Sequence, residues 1–253
     1  MTDLKNKIVF ITGASAGIGE AIARRFAEAG AKLILAARRI ERLEALTKEL
    51  GIAAHLIKLD VRDQEKVNSA IENLPDEWQA IDILVNNAGL SRGLDKLYEG
   101  NPEGWNQMID TNVKGLLYVS RAVLPGMVSR GGGHVINIGS IAGHELYPGG
   151  NVYCATKFAV KALTKGMLID LVDTPIRVTS IDPGLVETEF SQVRFWGDKE
   201  RASTVYKGYK PLEATDIADA VVWAATRPAH VQIAEMIVLP TAQAGSMVVH
   251  KKQ

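Results

Sequence analysis

The sequence predicts an α/β fold of the doubly wound kind: about seven parallel strands in one sheet, helices on both faces, and a single domain over residues 1–253. Two observations carry that expectation. Short β-rich apolar runs recur at 7–12, 32–37, 55–60, 81–86, 134–138, 176–181 and 235–239, most of them apolar at successive positions, as strands buried on both faces require. Helical segments lie between them. The 20–29 stretch sets Ile22 and Phe26 on one side and stops at Gly30, and 41–50 carries Leu43, Leu46 and Leu50 ahead of Gly51. Strand alternating with helix implies right-handed crossovers, and ligands in such a sheet bind beyond the C-terminal strand ends.

Composition narrows the function classes. The chain carries Lys+Arg 29 against Asp+Glu 29, so no global field directs it to nucleic acid or an anionic membrane, and a small-molecule substrate is expected instead. No apolar run approaches the roughly 18 residues that span a bilayer, and the first residues lack a signal-peptide pattern. One cysteine, Cys154, excludes an internal disulfide, offers no thiolate metal cluster and fits a reducing cytoplasm. With no His close in sequence, Cys154 reads as a small buried filler rather than a nucleophile. No metal is expected.

The strand ends, in order, hold the polar chemistry. The first runs into Thr12-Gly13-Ala14-Ser15-Ala16-Gly17-Ile18-Gly19 and then a helical pattern. Glycines there let the chain turn sharply and let an anion approach the helix N-terminus. The second ends at Ala37-Arg38-Arg39, where an NAD-binding fold usually carries an acid for the ribose; two guanidiniums suit a 2′-phosphate, which favours NADP(H). The third ends at Asp60-Val61 and the fourth at Asn86-Asn87-Ala88-Gly89, residues that serve equally as caps and turns or as adenine and ribose contacts. The fifth ends at Gly139-Ser140, and a Ser in that place is also a common cap. The sixth leads into Asp182-Pro183-Gly184-Leu185-Val186-Glu187-Thr188. Asn112 sits inside an apolar helical stretch at 105–124 with no propensity reason to be there. Tyr153 and Lys157, four residues apart, share a face if helical, and a fixed positive charge nearby would lower the pKa of the phenol toward a usable range.

In register over nearly the whole chain, the Gly loop, Asp60, Asn86-Asn87-Ala88-Gly89, Asn112, Ser140, Tyr153-x-x-x-Lys157 and Pro183-Gly184 closely resemble the short-chain dehydrogenase/reductase family. The resemblance implies a Rossmann-like fold and an Asn112, Ser140, Tyr153, Lys157 tetrad that moves a hydride between a nicotinamide and an alcohol or carbonyl carbon. It makes Tyr153 the general acid/base and has Ser140 hydrogen-bond the substrate oxygen. Lys157 then binds the nicotinamide ribose and lowers the pKa of Tyr153, and Asn112 supports a water leading to solvent. The pyrophosphate falls to Gly13, Ser15, Gly17, Ile18 and Gly19, the adenine pocket to Asp60 and Val61, and the ribose region to Asn87. The carboxamide falls to Pro183, Gly184, Val186 and Thr188.

A narrower likeness is to the NADP-dependent 3-hydroxy acid dehydrogenases that also act on serine and allo-threonine, carried by Ala37-Arg38-Arg39, Arg121-Ala122-Val123-Leu124-Pro125 and Glu187-Thr188-Glu189-Phe190-Ser191, among other stretches. It implies a homo-oligomer, typically a tetramer. The loop His144-Glu145-Leu146-Tyr147-Pro148 departs from the serine-active members, and Glu145 and Tyr147 are expected to touch substrate. The 186–212 stretch shows no clear strand and reads as a substrate lid, with Arg194 able to anchor a carboxylate or sulfonate. The expected reaction interconverts a small 3-hydroxy acid, or a similar short anionic alcohol, and its aldehyde or keto form. A carbonyl reductase for neutral substrates and a non-catalytic NADPH-sensing scaffold are the alternatives.

Overall fold

Seven parallel strands form one sheet in the order β3-β2-β1-β4-β5-β6-β7 in the computed structural model, which describes residues 2–252. The strands are β1 Ile8–Thr12, β2 Lys32–Ala37, β3 Ala54–Lys58, β4 Ile81–Asn86, β5 Gly133–Ile138, β6 Ile176–Pro183 and β7 Glu235–Val238. The chain winds outward from β1 in one direction to β3, then returns to β4 beside β1 and winds the other way. The reversal opens a crevice above the C-terminal ends of β1 and β4.

Alternation along each strand divides the core in two. Val9, Ile11, Leu33 and Leu35 pack with Ile22 and Phe26 of α1 (Gly17–Glu28) and, among the other helices, Ile217 and Val221 of Ala214–Ala225. Their neighbours Phe10, Ile34 and Leu84 point the opposite way, onto Val119, Val123 and Met127 of Leu116–Arg130. Each fully buried Ile, Leu or Phe contributes about 1.5–3 kcal/mol, so the sheet is held from both sides. On the first side, α2 (Ile40–Leu50) ends at Gly51 in the left-handed conformation, as its sequence predicts. On the second lie α3 (Gln64–Glu72), α5 (Leu116–Arg130) and α6 (Asn151–Asp170), and α4 (Pro102–Ile109) packs Met108 in a separate cluster with Tyr153 and Cys154 of α6. The expected helix around Asn112 is α4 and α5 joined through a π-helical turn at Asp110–Gly115.

Two strand ends differ from expectation by two residues and the other boundaries by one or none. β3 stops at Lys58, which leaves Asp60 on the loop beyond it, and β6 runs through Asp182 to Pro183, whose neighbour Gly184 donates to Val238 O at 2.8 Å. A proline reads as a strand end because it has no N–H, but pairing with the short β7 carries the extended backbone to it. The 186–212 segment folds as two short helices, α7 (Phe190–Arg194) and α8 (Lys199–Thr204), before α9 (Ala214–Ala225). Its two feet meet: Val186 pairs with Leu212, and Glu187 N donates to Leu212 O at 2.8 Å.

His134, buried at the start of β5, tests the sheet's tolerance of charge. The Thr179 hydroxyl donates to Ile233 O, so it accepts from His134 Nε2–H at 2.8 Å, and Nδ1 is left bare without a partner. Burial, with the Arg177 charge as a second cause, pushes the imidazole down to about 3. Above the ordinary histidine value both states are neutral. Below it the unfolded chain takes up a proton that the folded chain refuses until about 3, so stability is lost as pH falls through that window. Urea unfolding at pH 7 and pH 5 should show a loss of up to about 2 kcal/mol from this residue, absent in His134→Gln.

Candidate active site

A cleft of about 530 Å³ lies above the C-terminal strand ends. Its floor begins where β1 meets α1. Gly13 and Gly17 have φ of 67° and 57°, a left-handed conformation that favours glycine. A side chain on Gly19 would run into the Gly13 carbonyl and the Asn87 amide, so Gly19 lies behind the loop and packs it closed rather than lining the cleft. Asn87 Nδ2 donates to Thr12 O at 2.9 Å and Gly13 O at 3.2 Å, while Thr12 Oγ1 accepts from the Asn87 and Ala88 N–H groups. These bonds staple the β4 turn to the Gly loop, and Ser15 and Ile18 line the space above it.

Around the far end stand Arg38, Arg39, Asp60 and Val61. Asp60 is paired with Arg62 at 2.6 Å. At the other end the β6 turn brings Pro183, Gly184, Val186 and Thr188 to the wall, with the Thr188 side chain against Gly17. Buried Gln243 holds this turn: its Oε1 accepts from Leu185 N at 2.9 Å and its Nε2 donates to Gly245 O at 3.0 Å.

Tyr153 and Lys157 occupy the first turns of α6 and are both buried. Lys157 Nζ donates to Ile138 O at 2.9 Å and lies 5.9 Å from the Tyr153 ring centre. Ser140 Oγ accepts from Ala142 N at 3.1 Å, donates to Pro183 O at 3.4 Å and reaches the phenol of Tyr153. Asn112 does not line the cleft. It is clamped behind it, with Oδ1 accepting from Leu90 N and Nδ2 donating to Leu90 O, both at 2.8 Å, and to Thr156 Oγ1 at 3.0 Å. That clamp ties the π turn to α6.

The electrostatics differ from expectation. Burial raises the Tyr153 pKa, and the opposing influences are the Arg194 charge and the Ser140 hydrogen bond. Lys157 turns its ammonium to the Ile138 carbonyl and is itself desolvated. Burial pushes Lys157 down to about 8, and the Asp182 carboxylate opposes that fall. Arg194 stands 5.3 Å from the Tyr153 ring centre, donates through Nη2 to Tyr147 Oη at 3.0 Å and through Nε to Ser91 Oγ at 3.1 Å. The expected substrate residues thus separate: Tyr147 and Arg194 line the cleft, whereas Glu145 is exposed outside it and accepts from Ser246 N at 2.7 Å. An exposed acid next to a site has no local pattern that says which way it turns. Ser246 and Met247 of the same tail line the cleft in its place, as does Phe190.

The cleft thus joins a Gly loop at a helix N-terminus to a buried Ser140, Tyr153 and Lys157, and residues 7–197 match the short chain dehydrogenase family. The chain belongs to the short-chain dehydrogenase family. An NADP-dependent 3-hydroxy acid dehydrogenase from Salmonella typhi is 52% identical over 237 residues, 93% of this chain and 96% of that one. A protein of the same description from Schizosaccharomyces pombe is 46% identical over the full length of both. A serine dehydrogenase solved in its closed form with NADP+ superposes with a TM-score of 0.93 at 48% identity, covering 97% of this chain and 100% of the other.

Asp182 is buried beneath the Ser140 turn, where a side chain on Gly139 would collide with its carboxylate. Lys161 Nζ donates to His144 Nδ1 at 2.7 Å, so the His144 proton sits on Nε2 and is given to Asp182 Oδ2 at 2.7 Å. Asp182→Asn removes the charge that favours the Lys157 ammonium. The ammonium, present below its pKa, is then lost at lower pH, and the alkaline limb of the pH–activity profile should move below about 8.

Proposed function

We propose that this chain is an NADP(H)-dependent oxidoreductase that interconverts a small 3-hydroxy acid, or a similar short anionic alcohol, and its aldehyde or keto form. The observation that carries the reading is the Arg194 guanidinium, 5.3 Å from the Tyr153 ring in the cleft that begins at the Gly loop. A fixed cation beside a proton-transfer hydroxyl suits a substrate with an anionic end. The relatives' NADP-dependent 3-hydroxy acid and serine dehydrogenase descriptions support the same substrate class.

The cleft fits the cofactor. The close approach at Gly13 and Gly17, next to the α1 N-terminus, leaves room and N–H groups for a pyrophosphate held with Ser15 and Ile18. Arg38 and Arg39 would take the 2′-phosphate, Asp60 and Val61 the adenine, Asn87 the ribose region, and the Pro183–Gly184–Val186–Thr188 wall the carboxamide. When bound, the nicotinamide supplies or accepts the hydride. Tyr153 is the general acid/base that moves the proton at the substrate oxygen, and Ser140 hydrogen-bonds that oxygen. Lys157 carries positive charge to the cofactor ribose below about pH 8, and Asn112 supports its water. The 186–212 segment acts as a lid that excludes water and brings Arg194 to the substrate.

Exposed apolar side chains on α5 and α6, Leu117, Phe158 and Ile169 among them, support a homo-oligomer, with a tetramer favoured. No helix among the described residues is long and apolar enough to cross a membrane, and the cytoplasm is the proposed compartment.

Two substitutions test the reading. Tyr153→Phe should lower kcat by at least about 100-fold, the usual contribution of a positioned acid/base; unchanged turnover would leave a nucleotide-sensing scaffold as the better account. Arg194→Met should raise KM about 10- to 100-fold for a 3-hydroxy acid and far less for a neutral alcohol of equal size, the equivalent of a charged hydrogen bond. Equal effects on both would favour the neutral carbonyl reductase.

A further inference from the structure

An ion-pair cluster runs from the adenosine end of the cleft to the 186–212 segment. Glu189 stands immediately before α7. Its Oε2 accepts from Arg39 Nη1 at 3.2 Å and its Oε1 from Arg42 Nη1 at 2.8 Å. The other tip of Arg39, Nη2, faces Ser15 Oγ of the Gly loop at 3.4 Å. Arg39 is thus a planar fork with one tine on the lid and the other on the phosphate loop. Ser15, Arg39 and Glu189 all border the same cavity.

Stability does not account for this arrangement. The Arg39 and Glu189 side chains are 43% and 42% exposed, and open pairs of this kind contribute about 0–1 kcal/mol. Charge accounts for it better. Arg38, Arg39 and Arg42 bring three positive charges and Glu189 one negative, a net of two positive charges where a dianionic phosphate is wanted. A guanidinium has five N–H donors, so Arg39 can bind a phosphate beside Ser15 without releasing Glu189.

Building on the NADP(H) reading above, the geometry points to Glu189 as a positioning and specificity-determining residue that aims Arg39 at the 2′-phosphate and ties occupancy of that phosphate to the placement of α7. Because α7 carries Phe190 and Arg194, the link runs from the adenosine end to the side chains beside Tyr153. Such coupling is reciprocal: a phosphate that prefers the Glu189-held Arg39 must in turn favour the α7 position that supplies Glu189. A dinucleotide without the 2′-phosphate fills the same cleft but leaves this link unused.

The test uses the full chain and two probes that lack the nicotinamide, 2′,5′-ADP and 5′-AMP, with affinity read by calorimetry and α7 read by hydrogen exchange over 190–194. Glu189→Ala should weaken 2′,5′-ADP about fivefold to tenfold and leave 5′-AMP unchanged, Glu189→Gln should fall between, and Glu189→Ala should add nothing in an Arg39→Ala background. In the parent, 2′,5′-ADP but not 5′-AMP should slow exchange over 190–194, and in Glu189→Ala it should not. Retained 5′-AMP binding shows that each variant is folded, and Glu189→Gln repeats the test with the smallest change in shape. If the parent prefers 2′,5′-ADP but Glu189→Ala binds it as well or better, or α7 exchange is unmoved, the role of Glu189 is overturned while the cofactor reading stands. If the parent shows no preference for 2′,5′-ADP over 5′-AMP, the cofactor reading falls and this inference falls with it.

Discussion

The Thr12–Asn87 staple holds the ends of β1 and β4 at the distance the whole cleft requires. One threonine hydroxyl accepts two backbone N–H groups from the β4 turn, and one asparagine amide returns two bonds to the carbonyls of the β1 turn. Because Gly19 has no side chain, the same amide fits between the loop and the helix. Neither strand end could splay without leaving several polar groups unpaired in a partly buried place, a cost of about 1–3 kcal/mol each. The N-terminus of α1 and the turn after β4 are therefore fixed relative to one another at the floor of the cleft.

Tyr153 and Lys157 follow a different logic from the Gly loop. Both are desolvated first and charged second: burial raises Tyr153 and lowers Lys157, which favours the neutral form of each. What opposes burial comes from outside the pair. Arg194 reaches the phenol from α7, and Asp182 reaches the lysine from the end of β6, itself held by His144 and Lys161. The titration of Tyr153 and Lys157 is in this way tied to the segment above them and to the loop after β5.

Much of this was legible in the chain. Short apolar runs alternating with helical patterns fit the strands of a parallel sheet, and all seven are present, with β3 and β7 at its edges. The Gly loop, the arginines after β2 and the Tyr153–Lys157 spacing have local signatures because each acts through neighbours in sequence. What was not legible depends on distant residues. The Asn112 side chain, on the π turn, is held by Leu90, which offers it both a donor and an acceptor from 22 residues away. The influences that oppose burial at Tyr153 come from Arg194 and Ser140, both distant in sequence, and spacing along a helix says nothing about where the Lys157 ammonium finds its carbonyl. Glu145 turned outward to the tail, and Gln243, Ser246 and Met247 entered the wall from a stretch with no periodicity to announce them.

The paired feet of the 186–212 segment have a consequence for how this scaffold can diversify. Since Val186 and Leu212 meet directly, the excursion between them begins and ends at one point of the body, and closing it costs little that depends on its length. Residues between the feet can be exchanged, lengthened or shortened without moving β6 or α9, much as a cassette is replaced in a fixed housing. Changes confined to this excursion leave the strands as they are, and those that keep Glu189 and Arg194 also leave the Gly loop and Tyr153 with the same neighbours.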